Sequence, residues 1–213
     1  METSVTVISD THWRHEEIDL PGGDLLIHCG DMFNLFGEPS QQVSAMDEWF
    51  GRQKFERILY TGGNHDRVLE TELKRRPQPM QNAHFLKDDL VEFRGLSIYG
   101  APWVPNLPTH AFAKRRPALV EAWARVPASV DVLVTHTPPF EILDSSSRGQ
   151  SHGCPSLAAE LARISPRVHC FGHVHAGAGQ RQIGETLFIN ASSIESGTDR
   201  VRAPVRFVLA ARG

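Results

Sequence analysis

Residues 5–12 read Val-Thr-Val-Ile-Ser-Asp-Thr-His, a short β-branched run that ends in an acid and a histidine. A similar order returns further along the chain, where the apolar residues 25–27 and His28 precede Gly30 and Asp31. Short runs of β-branched and apolar residues that are followed by turn residues are typical of buried strands. The chain therefore predicts strands whose ends deliver polar side chains into the loops that follow.

Further strand patterns recur along the sequence, and helical patterns separate several of them. The predicted strands span residues 5–8, 25–28, 57–60, 97–99, 130–135, 168–171, 187–189 and 205–210. The predicted helices span residues 41–53, 117–125 and 156–163. Alternating strands and helices in the first half, followed by successive strands at the end, predict an α/β sandwich with mixed β-sheets.

The composition is that of a globular protein with a sizeable core, since 40% of its 213 residues are hydrophobic and 22% are charged. We expect one domain over residues 1–213. The net charge of -3 argues against a broad nucleic-acid-binding surface, which needs clustered lysine and arginine. Three cysteines without CxxC spacing, no leader pattern and no apolar run of membrane-spanning length predict a cytoplasmic protein.

Metal-ligating side chains follow five of the predicted strands. These loops contain Asp10-Thr11-His12, Gly30-Asp31, Gly63-Asn64-His65-Asp66, His136 and Gly172-His173-Val174-His175. In an extended loop, residues two positions apart can project to the same side, so Asp10 with His12 can reach one cluster. Oxygen and nitrogen donors without thiolate suit Mn²⁺, Fe, Zn²⁺, Co²⁺ or Ni²⁺. The loops therefore predict a site for more than one metal ion.

Each motif also has a simpler interpretation when it is taken alone. The residues Asn64-His65-Asp66 could form an ordinary turn, and His173-Val174-His175 could be solvated on a surface strand. Five motifs in this order, each at a strand end, favour one common site instead. The remaining histidines lie outside the motifs, and for most of them a surface or core position is the simpler interpretation. They are His15, His28, His84, His110, His152 and His169.

As a set, the five motifs resemble those of the calcineurin-like metallophosphoesterase superfamily over residues 10–175. A closer resemblance, to the metallophosphoesterase-domain-containing branch, comes from residues 24–31, 47–51, 98–103 and 152–155. The resemblance implies a four-layer α/β/β/α sandwich with the site in loops at the sheet edges. It also implies a metal-dependent phosphoric ester hydrolase that acts on small phosphodiesters, cyclic nucleotides among them.

The resemblance further implies two divalent ions, for which Mn²⁺ is the expected metal. One ion would be held by Asp10, His12, Asp31 and His175. The other ion would be held by Asp31, Asn64, His136 and His173. Asp31 would therefore bridge the two ions, and a hydroxide between them would attack the phosphate.

His65 is the motif histidine without a metal, and the resemblance implies that it contacts the phosphate or the leaving-group oxygen while Asp66 orients it. Two alternatives stay open. The same site could act on phosphomonoesters, including phosphoproteins, or the chain could be a non-catalytic metal-binding scaffold. Several loop residues could meet a small phosphoester substrate, although a packed or solvated position is the simpler interpretation for each. They are Trp103, His110, Lys114, Arg115, Arg116, Arg148 and His152.

Overall fold

The computed structural model describes residues 2–33, 39–105, 107–198 and 200–212. The strands in these ranges are β1 Glu2–Ile8, β2 Gly23–His28, β3 Phe55–Tyr60, β4 His84–Phe85, β5 Asp89–Phe93, β6 Leu96–Ala101, β7 Val104–Pro105, β8 Ala113–Lys114, β9 Val132–Thr135, β10 Val168–Phe171, β11 Gly179–Ile183, β12 Thr186–Asn190 and β13 Val205–Ala210. The α-helices are α1 Pro39–Arg52, α2 Arg67–Glu72, α3 Arg116–Ala124 and α4 Pro155–Ile164. Within the described ranges, every helix is too short or too polar to cross a lipid bilayer.

Each predicted strand and helix is present, with bounds that differ by a few residues. The sequence patterns miss strands β4, β5, β7, β8 and β11 and the six-residue helix α2. Strand β11 shows the reason, because four of its five residues are exposed and no buried face marks it in the sequence. It is held by antiparallel hydrogen bonding to β12, which an apolar pattern cannot report.

Two mixed sheets form the centre of the fold. The first has the order β13-β1-β2-β3-β4, in which β13 is antiparallel to β1 and the other neighbours are parallel. The second has the order β11-β12-β10-β9-β6-β5, in which the two outermost strands are antiparallel to their neighbours. The predicted mixed-sheet architecture is therefore confirmed.

The two sheets pack face to face through the apolar side chains that point inward. Val5 and Val7 of β1 share a buried cluster with Val132 and Val134 of β9. Because successive strand residues point to opposite faces, Ile8 lies on the outer face of its sheet, in the cluster that α1 covers. Burying each such side chain contributes about 1.5–3 kcal/mol.

Helices cover the outer face of each sheet and complete four layers. On the first sheet, α1 buries the face formed by Val43, Met46, Trp49 and Phe50. On the second sheet, α3 and α4 pack through residues such as Trp123. The α/β/β/α order expected from the resemblance is therefore present.

Candidate metal centre

The parallel strands of both sheets end at one edge of the sandwich, where the motif loops begin. Strands β1, β2 and β3 end in register, since Ile8 pairs with His28 and His28 pairs with Tyr60. An isolated parallel bridge between Ser9 and Ser192 joins the loop after β1 to the loop after β12. The loops of the two sheets therefore meet above this edge.

Asp10, His12 and His175 form the first donor group, although residue 175 is far from the other two in the sequence. Their ligand atoms all lie within 4.8 Å of one another. Nε2 of His175 is 3.3 Å from Nε2 of His12 and 3.5 Å from Oδ1 of Asp10. One cation could therefore contact all three side chains.

Asp31, His136 and His173 form the second donor group, and their ligand atoms also lie within 4.8 Å of one another. Nε2 of His136 is 3.3 Å from Oδ2 of Asp31 and 3.0 Å from Oδ1 of Asn64. Asn64 thus adds an amide oxygen to this group. The structure brings together all seven residues that were predicted as metal ligands.

Four of these ligands have left-handed backbone conformations, which non-glycine residues rarely adopt. The φ angles are 52° at Asp10, 43° at His12, 56° at Asp31 and 69° at His173. Each such conformation costs about 1–3 kcal/mol and persists only where surrounding contacts fix it. One of these contacts is the hydrogen bond from the backbone N–H of His12 to the carbonyl of Asp31. The loops are therefore held in shape by the protein itself.

Two glycines leave the space that the carboxylates occupy. A Cβ at Gly63 would lie 2.3 Å from Oδ1 of Asp31, and a Cβ at Gly172 would lie 2.1 Å from Oδ2 of Asp10. No side chain fits at such distances. These glycines therefore let the backbone approach the carboxylates.

Asp66 fixes the loop of Asp31. Its Oδ1 accepts hydrogen bonds from the N–H groups of Met32 and Phe33, and its Oδ2 accepts those of Asp31 and Gly63, at 2.8–3.1 Å. Burial and the charge of Asp31 raise the pKa of Asp66 to about 7, while the backbone donors oppose this rise. Throughout the described chain, Asp66 makes no hydrogen bond to the ring of His65.

The second donor group is a buried ion pair when no metal is bound. Burial disfavours the charged form of His136, but the charge and hydrogen bond of Asp31 outweigh it and raise the pKa of His136 to about 9. In return, His136 lowers the pKa of Asp31 to about 2 against the effect of burial. The backbone carbonyl of Cys29, 2.9 Å from Nδ1 of His136, orients the ring. In the absence of a metal, the positive charge of protonated His136 thus balances the carboxylate of Asp31, as a bound cation would.

The first donor group shows a similar balance. Burial alone would raise the pKa of Asp10, but the hydrogen bond of His175 and the charge of His136 hold it well below its usual range. Burial lowers the pKa of His12 in this group, and in the second group it lowers the pKa of His173 to about 4. These two rings are therefore neutral at pH 7 and able to bind a metal through nitrogen.

His65 lies beside the donor groups without joining either of them. Its ring is 4.9 Å from that of His12 and 6.1 Å from that of His110, measured between centroids. The side chain is 30% exposed, and its backbone N–H donates to Oδ1 of Asp31 at 2.8 Å. The ring is therefore open to a substrate while its backbone is fixed.

The loop residues considered for substrate contact fall into different places. His152 is exposed and lines a cavity of about 210 Å³ with His173 and His175. Trp103 instead donates from Nε1 to Asp88 at 2.7 Å, and its ring packs under Lys114. His152 thus lies at the candidate site, whereas Trp103 has a packing role. Arg148, Arg115 and Arg116 are exposed.

Pattern reading missed two buried residues that contact the site, Asn190 and Ser192. The hydroxyl of Ser192 donates to Oδ2 of Asp10 at 2.9 Å, and Asn190 contacts Ser192. Both residues follow the predicted strand 187–189, so the rule that found the other loops could have found them. They are neither acids nor histidines, so the metal-ligand motifs do not include them.

The donor chemistry fits divalent transition ions. Each group combines a carboxylate with imidazole nitrogens, the second group adds an amide oxygen, and the thiols of the chain are free and buried. The residues that would hold one ion are Asp10, His12 and His175. Those that would hold the other are Asp31, Asn64, His136 and His173.

Comparison with known proteins agrees with this geometry. The sequence model of the family described as Calcineurin-like phosphoesterase matches residues 3–177. Metallophosphoesterase domain-containing protein 1 of Homo sapiens is 34% identical over 235 residues, which cover 95% of this chain and 70% of that protein. UPF0046 protein T07D4.2 of Caenorhabditis elegans is 33% identical, with 94% of this chain and 58% of that protein covered.

Among solved structures, TT1561 of Thermus thermophilus aligns with a TM-score of 0.61 at 15% identity, over 90% of each chain. This match concerns the fold alone and agrees with the four-layer sandwich. The chain belongs to the calcineurin-like phosphoesterase family. Its relatives also confirm the predicted resemblance to the metallophosphoesterase-domain-containing branch.

Proposed function

We propose that this chain is a dinuclear metal-dependent phosphoesterase that hydrolyses small phosphodiesters, cyclic nucleotides among them. The observation that carries the proposal is the placement of two donor groups side by side. The ring of His173 belongs to the Asp31 group, while its backbone N–H donates to Asp10 of the other group at 2.9 Å. Two ions bound here would be neighbours.

When bound, two such ions supply a water molecule of lowered pKa and offset the charge of a phosphate. Asp31 is suited to be their shared ligand. Its Oδ1 is held by the backbone N–H of His65, and its Oδ2 is 3.3 Å from His136. We assign Mn²⁺ as the preferred ion, with Fe, Zn²⁺, Co²⁺ and Ni²⁺ as alternatives for the same donors.

His65 is the proposed proton donor to the leaving-group oxygen. It is partly exposed, lies next to both donor groups and keeps its ring nitrogens outside them. A histidine in such a place can hold a proton and release it to the departing oxygen. Asp66, which is bonded to four backbone N–H groups, is a positioning residue that acts through the loop of Asp31.

Small substrates fit the surroundings better than a folded protein partner does. Open cavities of about 210 and 750 Å³ flank His175, one bounded by His152 and the other by His12. Within the described ranges, the loops above the sheet edge form no inserted domain that could recognise a protein.

The unpaired cysteines, all buried, support the expectation of a reducing compartment such as the cytoplasm.

The test uses metal-free protein to which each candidate ion is added back. Hydrolysis of bis(4-nitrophenyl) phosphate and of 4-nitrophenyl phosphate is measured in parallel, with a cyclic nucleotide as a third substrate. We expect activity to reach its maximum at two equivalents of Mn²⁺, with the diester preferred. A monoester preference would establish the phosphomonoesterase alternative. Two bound ions without any turnover would establish the scaffold alternative.

A further inference from the structure

A buried polar pair, Asn190 and Ser192, lies behind the Asp10 group at the end of strand β12. Only 1% of Asn190 and 2% of Ser192 is exposed. Buried polar side chains are costly unless all of their hydrogen-bonding groups find partners. The hydrogen-bond partners of Asn190 and Ser192 therefore indicate which groups this pair orients.

The amide of Asn190 is fixed in one orientation. Its Nδ2 donates to the carbonyl oxygens of Leu143 and Val174, both at 2.9 Å. Since a carbonyl can only accept, the NH₂ group must face these two residues. Oδ1 is then turned to Ser192, from which it accepts the backbone N–H at 3.2 Å. It also lies 2.8 Å from Oγ of Ser192, whose single proton is donated to the carboxylate of Asp10.

Ser192 extends this arrangement to the carboxylate of Asp10. Its hydroxyl is 2.9 Å from Oδ2 of Asp10, an oxygen that also accepts from the N–H of His173 at 2.9 Å. The other oxygen, Oδ1, is 3.5 Å from Nε2 of His175. Oδ2 is thus held by the protein, and Oδ1 is directed at the ligand atoms of the first donor group.

Asn190 also holds the other side of the same donor group. Its partner Val174 directly precedes His175, so the bond to the Val174 carbonyl fixes the backbone next to this member of the group. The surroundings are tight, since a Cβ at Gly177 would lie 2.2 Å from the carbonyl oxygen of Leu143. One amide therefore connects the carboxylate and the imidazole of one group.

We propose that Asn190 and Ser192 are positioning residues that orient Asp10 and His175, and that they thereby set the cation affinity of the Asp10 group. This inference rests on the proposed metal site and extends it to residues outside the ligand set. Partners that orient metal ligands typically contribute 10–100-fold in metal affinity. We expect a loss in this range at one of the two ions.

The test compares Ser192→Ala with its matched control Ser193→Ala. Ser193 is also buried, at 3% exposure, but among the described residues its hydroxyl has only a backbone carbonyl at 3.5 Å as a partner. Mn²⁺ is titrated into the metal-free proteins against a competing chelator, and thermal unfolding of each metal-free variant is recorded. Ser192→Ala should weaken one ion about 10–100-fold and leave the other within about threefold, with Ser193→Ala close to wild type.

Ser192→Thr, which keeps the hydroxyl, should recover most of the affinity that Ser192→Ala loses. Equal weakening of both ions, or the same loss in Ser193→Ala, would overturn the proposal. Because the titration needs no substrate, it tests this proposal even if the chain hydrolyses no phosphoester. A failure here would therefore be distinguishable from a failure of the proposed function.

Discussion

The two donor groups use the same kinds of side chain in different surroundings. In the Asp31 group, the side chains of Asp31 and His136 are 2% and 0% exposed, and they form an ion pair. In the Asp10 group, His175 is 25% exposed and borders both cavities beside the site. The Asp31 group, which is enclosed, must therefore release a proton when it binds a cation. The Asp10 group, which is more open, is in contact with solvent. We propose from this difference that the Asp31 group holds charge and that the Asp10 group receives the substrate.

The largest effect is expected for Asp31→Ala. The substitution removes the proposed shared ligand and leaves His136 without its counter-charge, so both groups should lose their ion. We expect kcat/KM for a phosphodiester to fall by more than about 10³-fold, which corresponds to at least about 4 kcal/mol. Metal content after dialysis is the measurement. Retention of two ions at full occupancy would show that Asp31 does not bridge.

His65→Ala should separate catalysis from metal binding. Because His65 lies outside both groups, the metal content should stay near two ions while kcat falls by about 10²–10⁴-fold. The loss should be largest for substrates with poor leaving groups. His110→Ala is the matched control, since this neighbouring ring is 6.1 Å from His65 and should change kcat far less. Metal loss in His65→Ala would identify His65 as a ligand instead.

Metal binding to the enclosed group should depend on pH. The pKa of His136 is about 9 in the metal-free protein, so below that pH a cation must displace a proton. Affinity should therefore rise with pH by about tenfold per unit between roughly pH 6.5 and 8.5. Calorimetric titrations in buffers of different ionisation enthalpy report the released proton. No net proton release at pH 7.5 would contradict this account.

The same shift has a consequence for the stability of the metal-free protein. The pKa of His136 is raised above its ordinary value of 6.5. The ion pair with Asp31 therefore stabilises the fold most below about pH 6.5, and this contribution is lost as the pH rises through about 9. Chemical unfolding of metal-free protein across this window would show the decline.

An effect on stability that does not involve the metal groups is expected at His169. Nε2 of this histidine is 2.9 Å from Oγ1 of Thr135, and burial lowers the pKa of His169 to about 3. The unfolded chain therefore binds one more proton between about pH 3 and 6.5, so stability falls as the pH drops through this range. In chemical unfolding, His169→Gln should reduce the slope of the unfolding free energy against pH by up to about 1.4 kcal/mol per pH unit. An unchanged slope would contradict the assignment.

The sequence was informative about the candidate ligands because each of them lies in a loop that follows a buried strand. Strands with a clear apolar pattern, such as β1 and β10, place Asp10 and His173 at a predictable edge of the sheets. The contacts of Asp66 could not be predicted from the sequence, because its carboxylate accepts hydrogen bonds from backbone groups more than thirty residues away, at Asp31 and Phe33. A local motif reports which side chains occur together, but backbone hydrogen bonds between distant loops depend on the complete fold.

The contact of Ser192 with Asp10 shows the same limit more strongly, since 182 positions separate the two residues. Serine and asparagine are common in loops, and neither residue type indicates a metal site by itself. Edge strands such as β11 are missed for a related reason, because pairing stabilises them more than burial does. The family and the candidate metal-binding groups could therefore be predicted where the ligand chemistry is specific, and the supporting residues required the structure.

The central claim is that two cations share the carboxylate of Asp31. Electron paramagnetic resonance of the protein with two equivalents of Mn²⁺ tests it most directly, because ions that share a carboxylate are spin-coupled. We predict a coupled spectrum for the wild-type protein and its loss in Asp31→Ala. A wild-type spectrum of isolated Mn²⁺ ions at full occupancy would contradict the account.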